Sequence, residues 1–192
     1  MFALVTSLSP GPVNIVATVA GTNHGYIKTI PHILGATVGF VSMLGLLGLG
    51  IVEVFYDSQT MSKALGYAGG LFFLYMAYKV ATSGNFRRNH SKRKKAPSFV
   101  HGLLCQWSNP KAWVVSLSGI AMFSVHGAIS LEKLGIFCLV FFVVCYGCIS
   151  TWAVFGSAIG RLLEHPVHYK VFNGLMGALL ALTVVYLFFS SN

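Results

Sequence analysis

Two short stretches hold residue types that can do chemistry in an otherwise apolar setting. Residues 7–14 read SLSPGPVN, in a segment with no Lys, Arg, Asp or Glu before Lys28, and residues 108–113 read SNPKAW. Pro10, Pro12 and Pro110 donate no backbone hydrogen bond and Gly11 has no helical preference, so each stretch should interrupt a helix. Proline favours the first helical turn, and Ser or Asn the position just before it. Ser9 with Pro10 or Pro12, and Asn109 with Pro110, therefore read as starts of new half-helices. Such ends carry free N–H groups and roughly half a positive charge, which attract carboxylates. Two of them facing one cavity would bind an anionic group, with Asn14 and Asn109 as side-chain donors.

Lys111 sharpens this reading, because a lysine at the centre of a membrane helix costs about 2.5–3.5 kcal/mol on insertion scales and is a functional suspect. It would hold a substrate carboxylate or serve an ion-coupling relay; the structural alternative is a stem that snorkels to the interface. Other titratable candidates for coupling are His24, His32 and Glu53, although a lone histidine near a helix end is more often interfacial. The candidate substrate-binding set is Ser9, Pro10, Gly11, Pro12, Asn14, Asn109, Pro110 and Lys111, with Lys111, His24 and Glu53 as coupling candidates. No metal or cofactor is expected.

The elements that must position these residues follow from composition. Of 192 residues, 55% are hydrophobic and 9% charged, far below the quarter or so of charged residues in a soluble domain. The formal charge of +9 rests on thirteen Lys and Arg against four acids, Glu53, Asp57, Glu132 and Glu164. Because the excess is concentrated in one linker, it indicates a membrane protein with a basic loop rather than a nucleic-acid binder. The start, MFALVTSLSPGP, lacks the basic region and cleavage site of a signal peptide and is read as retained structure.

Spans of about 20 apolar residues are needed to cross a bilayer, and six stretches qualify: roughly 1–22, 30–52, 64–82, 99–125, 134–158 and 171–190. The expected fold is an all-α membrane protein in one domain. A first repeat over about 1–82 and a second over about 99–192 flank a basic linker over about 83–98. With that linker cytoplasmic, Lys28, Lys79, Arg87, Arg88, Lys92, Arg93, Lys94, Lys95, Arg161 and Lys170 share its side, and only Lys63 and Lys133 lie opposite. Both termini are then extracytoplasmic.

The halves resemble each other. GGLFFLYMAY (69–78) and GALLALTVVY (177–186) each open on Gly and close on Tyr, and the first span of each half carries a proline motif. Three spans per half make the second half inverted relative to the first. At about 1.5 Å per residue, Pro10 lies roughly 15 Å from the chain start and Pro110 roughly 16 Å beyond Phe99, near the middle of a core about 30 Å thick. Broken backbone at that depth is tolerated only where protein or a wet cavity satisfies it.

SPGPVN in the first span, LGATVGF in the second, the basic linker and SNPKAW in the fourth together resemble the lysine-exporter (LysE/RhtB) family of bacterial inner-membrane exporters, over essentially the whole chain. The resemblance implies six helices, export of an amino acid or derivative, energy from the proton gradient, and no enzymatic activity. It places Pro10, Gly11, Pro12 and Asn14 in the first motif, and Asn109, Pro110 and Lys111 in the second. Many relatives carry an acid after the second-helix glycine, whereas Gly39 here is followed by Phe40. With every carboxylate near a helix end, a neutral substrate is expected, as in the branch that exports cysteine and O-acetylserine. The substrate ammonium would rest on backbone carbonyls or on an aromatic face such as Tyr75 or Trp113.

Two rival classes remain open. Cys145 and Cys148 fall on one helix face, as in a membrane thiol-disulfide carrier, but VVCYGCIS offers no charge to stabilise a thiolate. Alternatively, the glycine pairs Gly35/Gly39, Gly66/Gly70 and Gly156/Gly160 would build a homodimer or scaffold contact, or simply let neighbouring helices approach.

Overall fold

The computed structural model describes residues 1–50, 59–82, 95–123, 129–162 and 166–190. Among these residues all regular structure is helical: α1 (Phe2–Leu8), α2 (Pro12–His24), α3 (Tyr26–Gly48), α4 (Gln59–Ala81), α5 (Phe99–Trp107), α6 (Pro110–Phe123), α7 (Leu131–Leu162) and α8 (Pro166–Ser190). The all-helical expectation is borne out. α3 and α7 are each long and apolar enough to cross a bilayer, and α1 with α2 makes a third such element if the bent pair is counted as one. α4 and α8 contain shorter apolar stretches, Gly70–Ala81 and Lys170–Thr183. Among the described residues, length and composition thus support crossing for two or three of the six stretches read as spans. Gln59, Thr60, Ser62 and Lys63 lower the hydropathy of the start of α4.

Local sequence explains where the helices stop. α1 and α2 meet at 55° across residues 9–11. Pro12 occupies the first turn of α2, where its missing N–H costs nothing. α2 and α3 join through Gly25, at φ 82° and ψ 163°, a conformation open essentially to glycine alone. Ser98 caps α5, its Oγ accepting from the His101 N–H at 3.2 Å, the usual N-cap arrangement.

Two seams hold the broken helices. On the first, α2 lies against α7: a Cβ on Gly21 would overlap the Ala153 carbonyl, and one on Gly156 the Thr18 carbonyl. Thr22 Oγ1 donates to Gly156 O at 2.9 Å across this seam. On the second, α5 lies against α3, with Gly35 on the Phe99 carbonyl and Gly102 on the His32 carbonyl. Helix association inside a bilayer gains little from hydrophobicity and depends on such close approach. Gly35, Gly39, Gly156 and Gly160 are therefore occupied within the chain. α4 packs on α8, where a Cβ on Gly177 would come within 2.8 Å of the Ala77 carbonyl. Phe73, Phe141, Ile33, Met43 and Leu180 fill the interior, while Leu139, Val143 and Phe155 of α7 face outward.

Candidate functional site

The first break is built from unpaired carbonyls. Pro10 and Pro12 have no N–H, and the bend removes residues 11 and 13 from register, so the carbonyls of Thr6, Ser7, Leu8 and Ser9 lose their helical partners. Side chains replace all four. Ser9 Oγ donates to Thr6 O at 3.1 Å. Asn14 Nδ2 donates to Ser7 O and to Ser9 O, both at 3.0 Å. Trp152 Nε1, from α7, donates to Leu8 O at 3.1 Å. Lys111 Nζ, from α6, donates to both Ser9 O and Ser9 Oγ at 2.8 Å. The Lys111 ammonium thus lies on the first break instead of extending to an interface. Gly11 makes this possible: a Cβ there would lie 3.1 Å from Lys111 Cδ and 3.3 Å from Nζ. No side chain caps the N-terminus of α2.

The second break, at residues 108–109, satisfies itself. Asn109 Oδ1 accepts from the Lys111 N–H at 3.2 Å, capping α6. Asn109 N donates to Gln106 O at 3.0 Å, replacing the donor that Pro110 lacks. Trp113 Nε1 donates to Trp107 O at 2.7 Å. Asn109 Nδ2 lies 3.4 Å from Gln106 Oε1.

Both breaks border one cavity of about 40 Å³, lined by Thr6, Ser7, Gly11, Val13, Asn14, Phe40, Gln106, Asn109, Lys111, Ala112, Val115, Cys145 and Ile149. That volume holds roughly three waters, not an amino acid. Lys111 is its one charged wall residue, and no carboxylate lines it among the described residues. With the uncapped α2 terminus, the chamber is electropositive and suits a carboxylate.

Of the sequence-predicted residues, Gly11, Asn14, Asn109 and Lys111 line this cavity, and Ser9 holds Lys111 from behind it. Pro10, Pro12 and Pro110 shape the breaks without lining it. His24 borders a different cavity, of about 450 Å³, with Asn23, Lys79, Lys95 and His101. Glu53 lies outside the described residues. Tyr75 lines neither cavity and carries Lys79 Nζ 5.3 Å from its ring centroid; Trp113 serves Trp107. Sequence reasoning did not assign Thr6, Gln106, Phe40, Cys145 or Trp152 to this site, although it named Phe40 and Cys145 for other reasons. Gln106, two residues before SNPKAW in an apolar helix, gave the one signal that could have found it. Cys105, Cys138, Cys145 and Cys148 are all free thiols.

A helical membrane protein with two proline-broken helices around a lysine-bearing chamber is the class these elements define. The chain belongs to the LysE type translocator family, which matches residues 4–191. It is similar to the cysteine/O-acetylserine efflux proteins of Salmonella choleraesuis (strain SC-B67) and Salmonella typhimurium (strain LT2), 28% identical in each case over 187 residues, covering 96% of this chain and 91% of each relative. The protein of the same description from Escherichia coli (strain K12) is 25% identical over the same coverage. No solved structure matches the chain significantly.

Proposed function

We propose that the protein exports a small neutral amino acid or amino-acid derivative from the cytoplasm in exchange for protons. One observation carries this reading: the Lys111 ammonium sits on Ser9 in a chamber that both breaks share and that no carboxylate lines among the described residues. A zwitterion would trade partners there. Its carboxylate takes Lys111 and the α2 N-terminal amides, and its ammonium takes the Ser9 carbonyl that Lys111 gives up. Phe40, stacked on Phe141 with centroids 4.9 Å apart, forms an apolar wall of the chamber. An uncharged substrate side chain suits that wall; a cationic one would find no counter-charge. Cysteine and O-acetylserine, named in the relatives, have this chemistry.

Substrate entry requires the chamber to widen beyond about 40 Å³. Release of Ser9 by Lys111 unties α1 from α6, so binding energy favours the open arrangement. We read the chain as six spans in two inverted halves in a bacterial inner membrane, with the basic linker cytoplasmic and both termini outside. Packing supports this topology at the level of whole spans: the broken span α1–α2 lies on α7, the broken span α5–α6 lies on α3, and α4 lies on α8.

The test is a metabolite profile with and without expression. The exported compound should fall inside the cell and rise outside, and Lys111→Met should shrink the difference at least about tenfold. A profile in which no amino acid or derivative moves overturns the reading.

A further inference from the structure

Away from the central chamber, two histidines from different helices meet inside the bundle. His32 of α3 is fully buried and His101 of α5 is partly buried. Their Nδ1 atoms are 3.3 Å apart, with ring centroids 5.2 Å apart and planes inclined at 42°. A contact between two Nδ1 atoms requires one to carry hydrogen and the other to offer a lone pair, so the neutral rings are opposite tautomers sharing one proton. His32 Nε2 has no hydrogen-bond partner despite its complete burial. His101 borders the cavity of about 450 Å³ at the end of the bundle where the basic linker rejoins the chain. The pair therefore has an enclosed end and an end open to water.

We propose that His32 and His101 form a two-ring proton relay that couples export to the proton gradient, an inference that rests on the transport reading above. A proton arriving at His32 Nε2 drives the Nδ1 proton of His32 across to His101 Nδ1, and His101 Nε2 releases its own to the linker-side cavity. Each ring gains one N–H bond and loses one, both tautomers invert, and no other reactant is consumed. Placing hydrogen on both Nδ1 atoms would break the contact. Gly102, next to His101, lies directly on the His32 carbonyl, so the close α3–α5 seam holds the two Nδ1 atoms within reach of one shared proton. The groups facing the pair are consistent with transit rather than storage of charge. Lys79 of α4, Lys95 before α5 and His24 of α2 border the same cavity, and Cys105 of α5 lies with its Sγ 3.8 Å from His101 Nδ1. Lys111 of α6 and Cys145 of α7 line the central chamber instead.

The experiment uses the full chain in liposomes, with labelled cysteine under reducing conditions as the probe. His32→Gln and His101→Gln should each lower pH-gradient-driven cysteine transport by at least about tenfold and remove the accompanying proton flux, while cysteine exchange at equal pH stays within about twofold of native. Driven transport and proton flux close to native in both variants overturn the relay. So does loss of exchange together with driven transport in both, which assigns the pair to structure. Native protein that exchanges cysteine without moving protons overturns the relay alone and leaves the exporter; native protein that moves no cysteine overturns both. Independently of any variant, nitrogen NMR of histidine-labelled native protein should show two rings of opposite tautomer coupled through Nδ1, and two rings of the same tautomer overturn the proposal.

Discussion

The two proline breaks look alike in sequence and differ in how they are held. The second closes on its own residues: Asn109 caps α6, Asn109 N serves Gln106 O, and Trp113 serves Trp107 O. The first depends on distant helices, since Trp152 of α7 and Lys111 of α6 hold the carbonyls of Leu8 and Ser9. A self-capped break is a rigid fixture. One held by side chains of other helices can be released by anything that competes for those side chains. Lys111 belongs to both, its N–H on Asn109 and its ammonium on Ser9, so the rigid break supplies the hand that grips the compliant one.

Removing that hand should give the largest effect. Lys111→Met leaves Ser9 O with Asn14 alone and takes the counter-charge from the proposed substrate carboxylate. Export kcat/KM should fall about 10- to 100-fold, the range expected for one hydrogen bond to a charged group. Immunodetection in the membrane fraction should find the variant at native abundance. Unchanged kinetics would make the Lys111–Ser9 contact incidental and erase the difference between the breaks.

The prolines themselves sharpen the contrast. Pro12→Ala restores an N–H that can reach Leu8 O, displace Trp152 and straighten α1 onto α2. Pro110→Ala restores a donor to Gln106 O, which Asn109 N already serves. Export should therefore drop about tenfold in the first variant and no more than about threefold in the second, measured as initial rates at one substrate concentration. Equal losses would show that both breaks are compliant.

Much of this arrangement was readable beforehand because proline chemistry is local. Pro10, Pro12 and Pro110 fix where helices end whatever surrounds them, and Asn14, Asn109 and Lys111 are polar residues that an apolar stretch must satisfy somewhere. The satisfaction itself was not readable. Bare N–H groups were the expected feature of the breaks, whereas the orphaned carbonyls prove to be the more elaborately partnered set. Their donors come from 102 residues away at Lys111 and 144 at Trp152. Phe40 and Cys145 are ordinary apolar residues by type and become chamber walls only through the α3–α7 packing. His32 was visible as a titratable residue, but its partner His101 depends on the close seam that Gly35 and Gly102 permit.

A smaller effect is expected at Trp152. Trp152→Phe keeps the ring and removes the donor to Leu8 O, costing about 1 kcal/mol as the net value of one such hydrogen bond. The melting temperature in detergent should fall modestly, and export should change less than in Pro12→Ala, since Lys111 and Asn14 still hold Ser9. A loss as large as that of Lys111→Met would mean that Leu8 O, not Ser9 O, is the contact that governs α1.

The smallest effect separates transport from thiol chemistry. Cys145 lines the chamber and Cys148 lies one turn further along α7, both buried and both unbridged. A disulfide carrier would need access for a second thiol, which a chamber of about 40 Å³ does not provide. The double variant Cys145→Ser, Cys148→Ser should therefore export O-acetylserine or another thiol-free substrate at close to the native rate, measured by the same metabolite profile. Serine keeps the size and adds only a hydroxyl that the adjacent helical carbonyls can accept. Loss of export in this variant while Lys111→Met remained active would reverse the ranking of the two sites and move the chemistry from the break to α7.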